Sequence, residues 1–95
     1  MLENLTLTEE RMILCEHSTI TEGEERIKYY FYFIITSSGN EYYAIEVENK
    51  DSSELAVVGD EFELAKAVYS RVVDGRVSAL TLEDIIHDVK MSKNY

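Results

Sequence analysis

Proline is absent from this chain of 95 residues, and glycine and cysteine are scarce, with four and one. Linkers and low-complexity segments are usually rich in proline, glycine or serine, so this composition argues against both. The single cysteine, Cys15, has no second cysteine with which to form an intrachain disulfide. The first residues show neither the basic nor the apolar region of a signal peptide. We therefore expect a cytoplasmic protein.

Long apolar runs and basic residues are also in short supply. The longest apolar run covers residues 29–35, well short of the roughly 18 residues that a membrane-spanning helix requires. Only 9 basic residues oppose 19 acidic ones, which gives a net charge of −10. Nucleic-acid binding depends on lysine and arginine side chains that neutralise phosphates, and anionic membranes repel acidic proteins. The charge therefore argues against direct binding to nucleic acids or membranes and is compatible with basic partners.

Enough apolar residues are present for one folded domain. Hydrophobic residues make up 45% of the chain, which is close to the usual fraction in globular proteins. A chain of this length can form one modest core without disulfides or metals. We expect a single domain over residues 1–95, in which residues 1–11 form either a first strand or an irregular arm.

The N-terminal half has the period-two pattern of β-strands. In residues 12–20 this pattern places Met12, Leu14 and Glu16 on one face and Ile13, Cys15 and His17 on the other. Aromatic and β-branched residues dominate residues 26–36, and both faces are apolar or amphipathic, which indicates a central strand. A polar turn at 37–40, an alternating run at 41–49 and a short apolar run at 54–58 follow. Together they predict an antiparallel meander.

The C-terminal half has the helical period instead. Asp60 and Glu63 resemble a capping box, and Gly75 is placed where a left-handed residue usually ends a helix. The apolar stripe of this first helix consists of Phe62, Ala65, Val68, Tyr69, Val72 and Val73. A second helix is expected to begin at Thr81, with a stripe formed by Leu82, Ile85, Ile86 and Val89. The predicted fold class is α+β: a three- to four-stranded antiparallel β-meander followed by two C-terminal helices packed on one face.

Three segments carry a resemblance to a known family. They are residues 42–47 (Tyr-Tyr-Ala-Ile-Glu-Val), the amphipathic helix over 61–73, and residues 77–88 with their Leu-Glu-Asp-aliphatic helix start. These segments resemble a family of short uncharacterised proteins from Gram-positive bacteria, over a little more than half of the chain. The resemblance implies the same order of strand, helix and helix. It implies no activity, because none is established for that family.

Tyrosine is the residue type that points most directly to a function. Five of the seven tyrosines lie within residues 29–43. Two helices can cover only one face of a small sheet, which leaves these side chains outside: Tyr30, Tyr32, Ile34 and Tyr42. Exposed amphipathic aromatic residues are typical of protein interfaces. Two interpretations stay open: the face binds a protein partner, or the arm folds over it with Leu2, Leu5 and Leu7.

Two polar groups are candidates for chemistry. Glu83, Asp84 and His87 fall within one turn of the second helix, where carboxylates and an imidazole can bind a transition metal. The simpler interpretation is a capped helix start followed by a solvated helix face. Cys15 and His17 are two residues apart on one strand face, where they could meet as a nucleophile and its base, but no glycine-rich elbow accompanies them. The simpler interpretation is a buried structural cysteine.

These observations predict a non-enzymatic interaction or regulatory protein that is homodimeric through the aromatic sheet face and needs no cofactor. A first alternative is an acidic decoy that mimics a phosphate backbone and occupies a nucleic-acid-binding protein. A second alternative is a metal-binding enzyme that uses Glu83, Asp84 and His87.

Overall fold

The computed structural model of this chain describes residues 10–92, which fold as an antiparallel sheet followed by two helices. The strands, in chain order and in sheet order, are β1 (Glu10–Glu22), β2 (Glu25–Thr36), β3 (Glu41–Glu48) and β4 (Ser53–Gly59). The helices are α1 (Phe62–Asp74) and α2 (Leu82–Ser92), joined through a short 3₁₀ turn at Ala79–Thr81. The predicted α+β meander with two C-terminal helices is confirmed, and it has four strands.

Short turns determine the strand order, because strands joined by tight turns pair as antiparallel neighbours. Gly23 and Gly39 have φ values of 62° and 94° in the first two turns, which glycine adopts without steric cost. β2 pairs with β1 on one side and with β3 on the other. The prediction that residues 26–36 form a central strand is therefore confirmed.

Both helices pack on the same face of the sheet, which we call the helix side. The core buried between the two layers consists of Ile27, Tyr29, Phe31, Ile45, Val47, Ala56, Val58, Ala65, Val68, Tyr69, Val72, Ala79, Leu82, Ile86 and Val89. Partly buried hydroxyls are bonded across the layers: Tyr29 donates to the carbonyl of Val77 at 3.0 Å, and Ser18 and Tyr69 share a bond at 3.0 Å. No helix within residues 10–92 is long and apolar enough to cross a membrane.

β1 is longer than predicted and contains a bulge. Residues 10 and 11 belong to this strand, while residues 1–9 of the predicted arm lie outside the described part of the chain. The register moves by one residue at Cys15, so Leu14 faces Tyr32 and Glu16 faces Phe31. Strict alternation predicts Glu16 on the Leu14 face, and this is wrong because the extra residue reverses the alternation. Glu16 instead lies on the helix side and pairs with Lys66 of α1.

The helix ends differ from the sequence predictions by one residue. The amide of Ala65 donates to the carbonyl of Glu61 at 3.0 Å, which makes Glu61, and not Asp60, the N-cap of α1. Gly75 has an ordinary φ of −85°, and the left-handed residue is Arg76, with φ of 52°. Thr81 lies in the 3₁₀ turn, so α2 begins one residue later than predicted. Of the predicted stripes, Phe62 is the misplaced member, being 50% exposed.

Candidate interface on the open face of the sheet

The face of the sheet opposite the helices, called the open face below, is organised in rows that run across the strands. Directly paired residues of antiparallel strands point to the same face. The register gives four rows: Met12–Ile34–Tyr42, Leu14–Tyr32–Ala44–Val57, His17–Tyr30–Glu46–Leu55 and Thr19–Lys28–Glu48–Ser53. The first two rows are apolar or aromatic, and the last two carry charges.

Large apolar side chains on the open face remain in contact with solvent. Met12, Leu14, Leu55 and Val57 are 46%, 47%, 47% and 53% exposed. All four lie on the edge strands, so they flank the tyrosines of β2 and β3 on both sides. A contiguous exposed apolar surface of this kind is typical of a binding site. Alternation in the sequence places Met12 and Leu14 on one strand face. The exposure of Leu55 and Val57 was not predicted, although their alternation in β4 was an available signal.

The four predicted interface residues all lie on the open face, but they differ in exposure. Tyr30, Tyr32 and Tyr42 are half-buried. Ile34 is only 2% exposed, so the interpretation of this residue as an exposed side chain is wrong. Its direct cross-strand neighbours are Met12 and Tyr42, which are larger. An interface at this face remains a prediction. In it, Ile34 packs beneath its larger neighbours and does not contact the partner itself.

Two tyrosine–glutamate pairs occupy the middle of the open face. The hydroxyl of Tyr32 donates to Glu46 at 3.1 Å, and that of Tyr30 donates to Glu48 at 3.4 Å. The two rings are stacked, with centroids 6.1 Å apart. Burial and the bonded carboxylate raise the pKa of Tyr32 to about 12. Burial, followed by the charge of Glu48, also raises the pKa of Tyr30.

The end of the open face near the β1–β2 turn carries charges of both signs. An open cleft of about 510 Å³ lies there, lined by Thr21, Gly23, Glu24, Arg26, Lys28, Glu48, Asn49 and Lys50. Three of the nine basic residues of the chain therefore lie in one cleft. The open face thus changes from apolar at one end to charged at the other.

The two candidate sites for chemistry are not assembled. The thiol of Cys15 is exposed, and its hydrogen bond goes to the carbonyl of Ile13 at 3.7 Å rather than to His17. The bulge at Cys15 also separates the two residues in register, since His17 pairs with Tyr30 on the open face. Among residues 10–92, no three His, Cys, Asp or Glu side chains form a group suited to a metal ion, and this includes Glu83, Asp84 and His87.

In comparisons with known proteins, no family model, no curated protein and no solved structure matches this chain. The resemblance to short proteins of Gram-positive bacteria therefore stays a prediction.

Proposed function

We propose that this chain is a non-enzymatic interaction protein of the cytoplasm, which forms a homodimer by packing its open face against that of a second copy. The observation that carries this proposal is the set of half-exposed apolar side chains on the face that the helices leave uncovered. Two sheets that pack face to face lie about 10 Å apart and interdigitate their side chains. Such packing removes these side chains from water, which is the main driving force of association.

The rows of the open face are complementary to themselves about one twofold axis. This axis lies in the interface, runs parallel to the strands and passes between β2 and β3. It keeps each row opposite the same row and places β2 over the partner's β3 and β1 over the partner's β4. In the second row, Leu14 then meets the partner's Val57, and Tyr32 lies over the part of the partner's β3 that contains the small, fully buried Ala44. In the first two rows apolar or aromatic side chains thus meet one another, while in the third row Leu55 meets the partner's His17.

The charged rows favour the same axis. In the last row, Lys28 of one protomer lies opposite the partner's Glu48, and the symmetry repeats this contact. In the row before it, Tyr30 lies opposite the partner's Glu46. An axis perpendicular to the strands would instead place the charged rows over the apolar rows, which costs desolvation without any pairing. The axis parallel to the strands is therefore the one that satisfies both kinds of residue.

The size of the face predicts a weak dimer. Four rows span about 20 Å along the strands, and four strands span about 14 Å across them. Such a face lies at the low end of the areas buried in specific protein interfaces. We therefore expect the dimer to dissociate on dilution.

Light scattering behind size exclusion, run over a wide range of loading concentrations, tests the dimer. The expected mass rises from 11.0 kDa towards twice that value as the concentration increases. A monomer at every concentration would contradict the proposal and indicate that another segment of the chain covers the open face; the arm with Leu2, Leu5 and Leu7, which lies outside the described residues, is then the first to examine.

The same measurement on charge variants tests the axis. Lys28→Glu alone and Glu48→Lys alone each place like charges opposite one another twice, so each variant should dimerise at least about tenfold more weakly. In an equimolar mixture of the two variants, a mixed dimer has opposite charges at positions 28 and 48 in both contacts between protomers. Within each protomer, positions 28 and 48 still carry like charges. We expect a heterodimer in the mixture. Lys90→Glu, on an exposed site of α2, is the control for net charge. A Lys28→Glu variant that dimerises like the wild type would contradict this axis but not the dimer.

A further inference from the structure

A second surface feature lies on the helix side, away from the open face. It is a pocket of about 560 Å³ at the end of the sheet where the β2–β3 turn lies, lined by Phe33, Gly39, Asn40, Glu41, Tyr43 and Asp60. Its volume falls within the range of pockets that bind small molecules or single side chains of a partner. The interaction proposed for the open face does not use it.

Aromatic rings form one wall of this pocket. Phe33 and Tyr43 are direct partners in the β2–β3 register, with ring centroids 5.2 Å apart. Tyr43 in turn makes an edge contact with Phe62, at 5.6 Å. Phe62 begins α1, and half of its side chain remains exposed although the helical pattern assigns it to the buried stripe. The sheet therefore presents partly exposed aromatic rings at a place where the helices no longer cover it.

The ionisable residues of the pocket are both acidic. Glu41 and Asp60 are exposed carboxylates in the lining, and no basic side chain lines the pocket. Neither Glu41 nor Asp60 has an ion-pair partner among residues 10–92. Arg11 shares a row with Glu41, but it lies two strands away, about 10 Å. The pocket thus combines aromatic faces with unpaired negative charge.

The turn that forms the rim is held in place by its own hydrogen bonds. The amides of Thr36 and Gly39 donate to the carbonyls of Asn40 and Thr36, at 2.9 Å and 3.0 Å. The amide of Asn40 also donates to the hydroxyl of Thr36 at 3.0 Å. A rim ordered before binding lowers the entropic cost of association.

We infer that this pocket binds the side chain of an arginine on a basic partner segment. A guanidinium group stacks on aromatic faces and donates two parallel hydrogen bonds to a carboxylate, so it matches both components of the pocket. A lysine ammonium is more strongly hydrated and lacks the flat shape, so it matches less well. The charge of −10 on the whole chain adds long-range attraction for a basic segment.

An NMR titration of the ¹⁵N-labelled protein with the capped peptide Gly-Gly-Arg-Gly-Gly tests this inference. The amides of Gly39, Asn40 and Glu41 should shift, while that of Lys28 on the opposite face should not. The same peptide with citrulline, which keeps the shape of arginine without its charge, should bind at least about tenfold more weakly.

Two double variants separate the pocket from the general acidity of the chain. Glu41→Gln with Asp60→Asn should weaken binding of the arginine peptide at least about tenfold. Glu83→Gln with Asp84→Asn removes the same charge from exposed sites on α2 and should leave the affinity nearly unchanged. Equal shifts with the citrulline peptide would overturn the inference even if a variant failed to fold. Equal losses in the two double variants would also overturn it, because they would assign the binding to net charge.

Discussion

At the scale of single residues, Tyr32 links the open face to a measurable titration. Burial is the largest cause of its raised pKa of about 12, and the bond to Glu46 is the next. The folded state favours the neutral phenol of Tyr32. Its contribution to stability is therefore complete at pH values below the pKa of the unfolded state, which is near 10. This contribution is lost as the pH rises through 12.

Glu46→Gln should lower the pKa of Tyr32 without returning it to 10. The substitution removes the negative charge beside the phenol but leaves the burial, which is the larger cause. An NMR titration that follows the Cζ resonances of the tyrosines measures the change. Glu48→Gln is the matched control, since Glu48 is bonded to Tyr30 and should move the pKa of that residue more than that of Tyr32. Equal effects of the two variants on Tyr32 would contradict the hydrogen bond between Tyr32 and Glu46.

The sequence was sufficient to place the tyrosines but not their partners. Period-two alternation in residues 26–36 assigns Tyr30 and Tyr32 to one face, as the structure shows. Their bonds to Glu48 and Glu46 depend on which residue of β3 lies nearby, and the geometry of the β2–β3 turn determines this. Such a contact between distant residues leaves no local signal.

At the scale of secondary-structure elements, a single irregular residue limits what alternation can predict. In β1, the pattern is correct up to Leu14 and fails beyond Cys15, because a bulge adds one residue to one strand of the pair. The bulge moves His17 to the open face and Glu16 to the helix side. Cys15 itself is exposed, and its side chain is neither strongly apolar nor charged. The sequence pattern therefore does not identify it as the extra residue.

The C-terminus of α1 is a second place where the structure differs from the sequence pattern by one residue. Val77 donates to the carbonyl of Val72 at 3.0 Å and Arg76 donates to that of Val73 at 3.1 Å, which is the bonding of a Schellman motif with Arg76 as its left-handed residue. Glycine fits this conformation and alanine does not. Arg76→Gly should therefore be more stable than Arg76→Ala by about 1 kcal/mol. Chemical denaturation of the two variants measures the difference.

Ser70, an exposed residue within α1, provides the control for this comparison. In a helix interior alanine is more favourable than glycine. The free energy of unfolding of Ser70→Ala should therefore exceed that of Ser70→Gly by about 1 kcal/mol. The order of glycine and alanine is thus expected to reverse between positions 70 and 76. The same order at both positions would show that Arg76 does not adopt a left-handed conformation, and Gly75 would then regain the role that the sequence assigned to it.

At the scale of the whole molecule, the sequence predicted the order of elements better than their assembly. Short turns and two helical stripes were sufficient for a meander followed by two helices. The sequence also indicates which face of the sheet the helices cover, because β3 alternates Ile45 and Val47 on the helix side with Glu46 and Glu48 on the open face. No pattern in the sequence predicts the pocket. It combines residues from β2, the β2–β3 turn, β3 and the residue after β4, and only the folded sheet brings them together.

The net charge of −10 gives the two proposed surfaces opposite responses to salt. Two acidic protomers repel each other, and salt screens that repulsion, so dimerisation should strengthen between about 20 mM and about 200 mM NaCl. The two contacts between Lys28 and the partner's Glu48 oppose this trend, but exposed ion pairs contribute about 1 kcal/mol or less each, so the repulsion should dominate. The arginine peptide is attracted to the same charge, and its affinity for the pocket should fall over the same range. Light scattering and the NMR titration, repeated at both salt concentrations, measure the two trends. Dimerisation that weakens with salt would mean that ion pairs, rather than the apolar rows, hold the protomers together.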